Sequence, residues 1–305
     1  MIQSTNPEFK IRVRSWQPQG QVRGVIQLLH GMTEHIDRYH EFASFLVAQG
    51  FFVIGHDHVG HGKSVQGRQS FGYFGSLPKS RPLIGDVAKV QCLAKKKYPQ
   101  VPYFILGHSM GSLILRNYLI SYPEVPLTGT IMMGTTAESA LKMQAAILLS
   151  HGMMKLQGPK RPATLVNRLA FEGFNRRFEP GITKSDWLSS DELQVKRYLA
   201  DPWTQFIFTN SGYHELFLLT KRASSSQALR QITPQLPMLL IAGENDPVGQ
   251  FGKKVTILAK KLQKLGQNKV ELALISKARH ELLQEKQREQ VFQQIVVWIE
   301  KQVAE

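Results

Sequence analysis

The sequence predicts an α/β protein with a mostly parallel central sheet, helices on both faces of the sheet, and an all-helical insertion. Three observations support this class. Strand-like apolar runs alternate with helical segments up to residue 134, the strand signal disappears over residues 135–231, and the alternation returns over residues 232–305. Strand–helix–strand repeats form parallel sheets because the connecting helix packs back onto the sheet. The prediction is therefore a core of residues 1–134 and 232–305 with a helical cap of residues 135–231.

The first block contains one alternating strand and four continuous apolar runs. Residues 11–16 alternate like an edge strand, whereas the continuous runs are typical of strands buried on both faces. These runs are residues 25–29, 51–54, 103–106 and 130–133. Apolar side chains at helical spacing predict helices between them. The helices are residues 38–49, 84–98 and 112–122.

The insertion and the second block follow the same reasoning. The insertion has helical periodicity over residues 140–149, 164–171, 192–199 and 213–222. Many of its aromatic and methionine side chains are expected to form the insertion's own core, and some of them should line an apolar slot over the sheet edge. The second block reads as strand, helix, strand, helix. These elements are residues 238–241, 251–265, 270–275 and 282–303.

The pentapeptide Gly107–Gly111, GHSMG, lies where the strand of residues 103–106 gives way to a helix. A serine at the tip of such a turn has a strained backbone, and the flanking glycines let strand and helix approach closely. Ser109 is therefore the predicted nucleophile. The amide of Met110 at the helix start is placed to stabilise negative charge on a substrate oxygen. An ordinary turn with a capping serine is the alternative, so the motif needs catalytic partners.

A serine hydroxyl becomes a good nucleophile only when a base takes its proton. On a sheet of this kind the partners follow in the order serine, acid, histidine, each on a loop after a strand. After Ser109 the candidates are His151 and His214, which lie in the helical insertion, and His280, which follows the strand of residues 270–275. His280 is therefore the predicted base.

The orienting acid is expected in the loop after the strand of residues 238–241. This loop, Gly243–Pro247, offers Glu244 and Asp246. Asp246 is preferred because its neighbours Asn245 and Pro247 make it a turn position with a short carboxylate. Glu244 stays open as the alternative.

A second oxyanion donor is expected after the strand of residues 25–29. The sequence there is His30-Gly31-Met32, and the glycine lets the amide of Met32 face a substrate oxygen. Met32 and Met110 are thus the predicted pair of N–H donors.

The histidines of the segment His56–His61, with His30 and His35, resemble a metal cluster only superficially. Metal ligands must converge on one point, and a tight glycine turn follows His58, so we predict no metal site. Neither phosphate-binding glycine pattern is present, and no cofactor is expected.

The net charge of +15 invites a nucleic-acid hypothesis. The basic residues fall in scattered pairs and triplets, without a basic stripe interleaved with aromatics, so we predict no nucleic-acid partner. Weak attraction to anionic lipid surfaces stays open. The single cysteine, Cys92, allows no intramolecular disulfide, and residues 1–10 do not resemble a secretory signal. A cytoplasmic location is expected, with peripheral contact at the inner membrane face and the oligomeric state left open.

Five segments together resemble the monoacylglycerol lipase and lysophospholipase-like branch of the α/β-hydrolases. They are His30–Tyr39, Asp57–Ser64, Gly107–Gly111, Gly243–Val248 and Ala278–Glu281. The resemblance covers nearly the whole chain. It implies the α/β-hydrolase fold, a triad of Ser109, Asp246 and His280, and oxyanion amides at Met32 and Met110. Similar sequences are labelled lipases, lysophospholipases, carboxylesterases and serine aminopeptidases, so the motifs do not specify the substrate.

The leading hypothesis is a serine hydrolase that cleaves carboxylic esters of single-chain lipids, either monoacylglycerol or lysophospholipid. One alternative is an aminopeptidase of the proline iminopeptidase type on the same scaffold. Its substrate amine would need carboxylates from the cap, and Glu172, Glu179, Asp186 and Asp191 are the candidates. Another alternative is a binding protein that has the fold without catalysis.

Overall fold

The computed structural model describes residues 1–75, 81–178 and 181–304. The strands are β1 (Ile2–Gln3), β2 (Lys10–Ile11), β3 (Val13–Trp16), β4 (Gly24–Leu29), β5 (Phe51–His56), β6 (Tyr103–His108), β7 (Gly129–Met133), β8 (Met238–Gly243) and β9 (Val270–Ile275). The helices are α1 (His40–Ala48), α2 (Arg81–Lys97), α3 (Met110–Ser121), α4 (Ala140–Gln157), α5 (Thr164–Phe171), α6 (Glu192–Ala200), α7 (Asn210–Ser224), α8 (Ser226–Leu229), α9 (Lys253–Lys264) and α10 (Arg288–Ala304). Within those described ranges, none of the helices has the length and apolar character that a bilayer crossing requires.

Seven of the described strands form one sheet in the order β3-β5-β4-β6-β7-β8-β9. Only β3 runs antiparallel to its neighbour, and the other pairs are parallel. Every residue of β4, β5, β6, β7 and β8 is buried, as expected for strands covered on both faces. The parallel sheet confirms the predicted α/β class.

Two apolar clusters cover the two faces of the sheet. On one face α1 and α10 contribute Phe42 and Phe292, whose ring centroids lie 4.9 Å apart. On the other face α2, α3 and α9 contribute Val87, Ile114 and Leu258. The segment between β7 and β8 contains helices α4 to α8, and side chains of α7 join the second cluster. Because β7 and β8 are parallel, the helical segment leaves the sheet at its carboxyl edge, after Met133, and rejoins it at the opposite edge, before Met238.

Some element bounds differ from the prediction. The expected edge strand over residues 11–16 is interrupted at Arg12, whose amide donates to Ser64 Oγ instead of a strand partner. The expected helix over residues 251–265 begins only at Lys253, because Phe251 and Gly252 have φ angles of +57° and +82°.

The final helix also begins later than the sequence predicts. A single 3₁₀ turn covers Leu282–Gln284, and α10 begins at Arg288. Glu285 explains the interruption, because its carboxylate accepts hydrogen bonds from the amides of Arg279 and Ser190. These bonds keep the chain out of a continuous helix.

Helix α3 packs against β4 so closely that a side chain at Gly111 has no room. A Cβ atom there would lie 2.2 Å from the carbonyl oxygen of Leu29. Gly111→Ala should therefore lower the free energy of unfolding by about 1–3 kcal/mol, measured by urea denaturation at pH 7. Gly152→Ala is the matched control, because Gly152 is helical and has open space around its Cβ position. That variant should gain about 0.5–1 kcal/mol, and wild-type stability of Gly111→Ala would refute the close packing.

Candidate active site

Ser109 lies between β6 and α3 in a conformation that few residues adopt, with φ of 51° and ψ of −115°. Its amide donates to the carbonyl of Met133 at 2.9 Å, which connects the turn to β7. The flanking glycines are needed for the reason that the sequence suggested. A Cβ atom on Gly107 would lie 2.5 Å from the carbonyl oxygen of Gly111. The sharp turn directs the Ser109 side chain away from the sheet edge.

The structure brings the three predicted residues together. His280 Nε2 lies 2.9 Å from Ser109 Oγ, and His280 Nδ1 lies 3.0 Å from Asp246 Oδ2. Asp246 is fully buried, and its Oδ1 accepts from the amide of Val248 at 2.8 Å. The carboxylate thus accepts the Nδ1 proton of His280, which leaves the Nε2 lone pair facing the serine hydroxyl.

The alternative acid and bases lie elsewhere. Glu244 is exposed to solvent at the end of β8. His151 and His214 are neighbours within the helical insertion, with ring centroids 5.8 Å apart, and His214 Nδ1 bonds to Ser150. Neither histidine approaches the serine.

Met32 and Met110 line the same cavity as Ser109. Met110 is the first residue of α3, so its N–H has no acceptor within the helix. Within the described part of the chain, neither amide donates to a protein acceptor. Two unsatisfied N–H groups beside a nucleophile are what an oxyanion site requires.

A cavity of about 400 Å³ lies over Ser109 and His280. Its floor is formed by the loops that follow the strands, and the rest of its wall comes from the helical insertion. Most of the side chains from the insertion are apolar or aromatic. They include Met143, Ala146, Leu149, Val166, Leu169, Phe171, Phe174, Trp187, Leu188, Leu216 and Phe217. The arrangement agrees with the expected apolar slot and suits a single hydrocarbon chain.

A buried set of charged side chains behind the site was not assigned a role from the sequence. We call Glu34, Arg38, His108 and Glu281 the polar network. Glu34 Oε1 lies 2.8 Å from His108 Nδ1, and Arg38 donates to Glu34 at 3.1 Å. Arg38 also forms a two-pronged ion pair with Glu281 at 2.6 and 2.7 Å. The Glu34–Arg38 spacing of four residues was the only sequence signal for this network.

The charges of the polar network stabilise one another. Burial alone would raise the pKa of Glu34, but His108 and Arg38 beside it lower this pKa to about 2. Burial would lower the pKa of His108, yet the adjacent carboxylate raises it above its ordinary value. Glu34 is therefore an ionised carboxylate, stabilised by the Arg38 guanidinium on one side and by the His108 imidazole on the other.

Four buried imidazoles pack against one another at the start of the loop that carries Met32: His30, His56, His58 and His61. His58 N donates to His30 Nε2 at 2.9 Å, and His58 Nε2 donates to the His30 carbonyl at 3.1 Å. His56 Nε2 is therefore the donor to His58 Nδ1, at 3.2 Å. Burial lowers the pKa of all four, to about 3 for His56 and His61. Across residues 1–75, 81–178 and 181–304, no group of three or more His, Cys, Asp or Glu residues is arranged to hold a metal ion.

Comparison with known proteins places this geometry in context. The model of the family Hydrolase_4, described as "Serine aminopeptidase, S33", matches residues 20–287. A monoglyceride lipase homolog of Monkeypox virus is 26% identical over 97% of this chain and 98% of the viral protein. Monoglyceride lipase of Rattus norvegicus is 32% identical over 76% of this chain and 68% of the rat protein. The crystal structure of a thermostable carboxyl esterase from Bacillus coagulans in complex with glycerol has a TM-score of 0.92 at 26% identity, covering 99% of this chain and 97% of the esterase.

The lowered histidine pKa values predict an acid-sensitive fold. Unfolded histidines bind protons below about pH 6.5, whereas buried His61 stays neutral down to about pH 3. The neutral buried imidazole therefore contributes to the free energy of unfolding. That contribution is complete above pH 6.5 and is lost as the pH falls toward 3. His61→Asn should keep a donor for the Val59 carbonyl and remove one titrating group. The slope of unfolding free energy between pH 6 and 4.5 should then decrease by about 1.4 kcal/mol per pH unit.

His40→Asn is the control for that measurement, because His40 is exposed on α1. It should preserve the wild-type slope in urea titrations at each pH. An unchanged slope in His61→Asn would mean that this imidazole is not held neutral in the folded state.

Proposed function

The chain belongs to the Hydrolase_4 family, and we propose that it is a serine hydrolase that cleaves the carboxylic ester of single-chain lipids, monoacylglycerols first. One observation supports this most strongly. Ser109, His280 and Asp246 form a continuous hydrogen-bonded series at the floor of an apolar cavity of about 400 Å³. The names of the relatives, monoglyceride lipase and carboxyl esterase, agree with ester cleavage.

The proposed mechanism has two acyl-transfer steps. Ser109 Oγ attacks the ester carbonyl while His280 Nε2, 2.9 Å away, takes the hydroxyl proton. Asp246 keeps the Nδ1 proton in place and stabilises the imidazolium. The amides of Met32 and Met110 donate to the oxyanion. His280 then passes the proton to the leaving alcohol, and water activated by His280 releases the fatty acid from Ser109.

The proposed cap, residues 135–231, supplies the wall for the acyl chain. Phe171, Phe174 and Phe217 line it, so an alkyl chain would leave water for an apolar surface. The volume lies at the low end of the 300–1,000 Å³ that is typical of ligand cavities. One chain is therefore a better occupant than the two or three chains of larger glycerides.

The aminopeptidase alternative needs a carboxylate that is available to a substrate amine. Each carboxylate that borders the described cavity is already paired with basic side chains: Glu34 and Glu281 with Arg38, and Glu138 with Lys142 and Lys254. The cap carboxylates suggested by the sequence do not help. Glu172 is exposed, Asp186 accepts from the amides of residues 182 and 183, Asp191 caps α6, and Glu179 lies outside the described residues. Ester cleavage is therefore favoured.

Labelling and turnover test the proposed chemistry. A fluorophosphonate probe should label the wild-type protein, and Ser109→Ala should abolish both labelling and hydrolysis because it removes the attacking oxygen. Ser44→Ala, at an exposed position on α1, is the control and should be labelled normally. The substrate panel contains a lauroyl monoglyceride, a lauroyl lysophospholipid and aminoacyl anilides. Release of laurate from the monoglyceride is the expected result.

Each other outcome has a definite meaning. Hydrolysis of the anilides without the esters would establish the aminopeptidase alternative. Folded wild-type protein that takes up no probe would favour the binding protein without catalysis. A higher kcat/KM for the lysophospholipid would agree with ester cleavage but would show that lysophospholipids are preferred over monoacylglycerols.

We further propose that the outer face of the cap contacts anionic lipid surfaces. Leu141, Leu148 and Leu156 of α4 are 82%, 63% and 84% exposed. Basic side chains accompany them on the same segment. They include Lys155, Lys160, Arg161 and Arg168. Apolar side chains with basic neighbours suit the boundary between anionic headgroups and acyl chains.

Vesicle sedimentation tests this contact. Wild-type protein should bind vesicles that contain phosphatidylglycerol, and binding should weaken with salt because the Debye length falls from about 10 Å at 0.1 M to about 3 Å at 1 M. Leu148→Asp combined with Leu156→Asp should reduce the bound fraction several-fold. Val297→Asp, at a 64% exposed position on α10, is the control and should bind like the wild type. Equal binding by all variants would contradict the proposed surface.

A further inference from the structure

We propose that Tyr198, on α6 of the cap, is a positioning residue for the oxyanion site. Its hydroxyl holds Thr33 in the backbone conformation that directs the amide of Met32 toward Ser109. We call residues 30–35 the donor loop. The inference rests on the proposed function, because it assigns Met32 as an oxyanion donor.

Thr33 has an unusual backbone. Its φ angle is +54°, in the left-handed region where β-branched residues are genuine outliers. Such a conformation is strained and persists only when the surroundings enforce it. Because Thr33 directly follows Met32, a relaxation of its φ angle would rotate the peptide units beside the donor amide. Something must therefore hold the Thr33 side chain.

The hydrogen bonds of the Thr33 hydroxyl identify that group. Thr33 Oγ1 donates to the carbonyl of Met32 at 2.8 Å. With its proton used there, Oγ1 accepts from the hydroxyl of Tyr198, 3.0 Å away. Burial raises the pKa of Tyr198 to about 12, so the phenol keeps its proton at neutral pH. The phenol is thus a permanent donor to the strained residue.

Tyr198 is itself held firmly. The Arg38 guanidinium lies over its ring at 5.0 Å from the centroid, and the carbonyl of Tyr198 accepts from Thr204 Oγ1. A second bond joins α6 to the donor loop, because Asp201 at the end of α6 lies 2.8 Å from His35 Nε2. The cap helix therefore contacts the donor loop on both sides of Glu34. These contacts keep the phenol in place, so a change of the Thr33 backbone would break its hydrogen bond to Tyr198.

A direct contact with the leaving alcohol is the competing role, since Tyr198 also borders the cavity. The two roles differ in their dependence on substrate. A headgroup contact helps only substrates whose alcohol carries further hydroxyls. A positioning role affects every ester, because acylation and deacylation both pass through an oxyanion.

The test uses Tyr198→Phe with two laurate esters, the monoglyceride and the p-nitrophenyl ester, whose leaving group carries no further hydroxyls. Positioning predicts a fall in kcat of about 10-fold on both, since a small misplacement of a catalytic group costs up to about 100-fold. KM for the nitrophenyl ester should stay within about twofold of the wild-type value. A loss confined to the monoglyceride would overturn the inference in favour of a headgroup contact.

Thr33→Gly provides a double-mutant cycle. Glycine adopts positive φ without support, so Tyr198→Phe should cost less than about twofold in kcat when it is added to Thr33→Gly. An undiminished 10-fold loss in that background would overturn the inference. Tyr213→Phe is the matched control, because the Tyr213 hydroxyl bonds to Asn167 inside the cap and the residue does not border the cavity.

The control should keep the wild-type kcat, and a similar loss there would mean that any buried cap hydroxyl matters. Failure of the proposed function is distinguishable from failure of this inference. In the first case wild-type protein hydrolyses neither ester. In the second case wild-type protein hydrolyses both and Tyr198→Phe matches it.

Discussion

The carboxylate of Glu34 connects the loops that meet at the nucleophile. It accepts from the amide of Gly31 in the donor loop and lies 2.8 Å from His108, the residue before the serine. Through Arg38, which pairs with Glu281, it also reaches the loop of the proposed catalytic histidine. Each loop leaves a different strand, so the sheet alone brings them only into the same region. The hydrogen bonds to one buried carboxylate fix their mutual positions.

Burial of such a network costs free energy. The network therefore contributes more to the positions of the loops than to the net stability of the fold. His108 and Arg38 compensate Glu34, and their presence keeps its pKa at about 2 despite burial. Apolar side chains of similar volume often stabilise a fold as well as a buried ion pair does, but removal of one partner costs about 3–5 kcal/mol. Apolar contacts are also non-directional. A catalytic site needs its groups placed within about 0.5 Å, and directional hydrogen bonds supply that precision.

The sequence predicted those features that depend on local pattern and chain order. Buried strands, their connecting helices and the order Ser109, Asp246, His280 all follow from periodicity and from loops at strand ends. The positive φ of Thr33 was not predictable, because a β-branched residue disfavours it and only a side chain 165 residues away holds it. The interruption before α10 has the same origin, since Glu285 bonds to Ser190 of the cap. Tertiary hydrogen bonds overruled local preference in both places.

Helices α4, α5 and α6 of the proposed cap differ in their hydrogen-bond partners. Helix α6 bonds to the core, through Tyr198 to Thr33 and through Asp201 to His35. Helices α4 and α5 bond instead to α7 inside the cap, for example from Ser150 to His214. The apolar wall of the cavity comes largely from α4, α5 and α7. A substitution in α4 or α5 that reshapes the wall therefore leaves the hydrogen bonds of the donor loop in place, whereas a substitution in α6 changes the wall and the donor loop together.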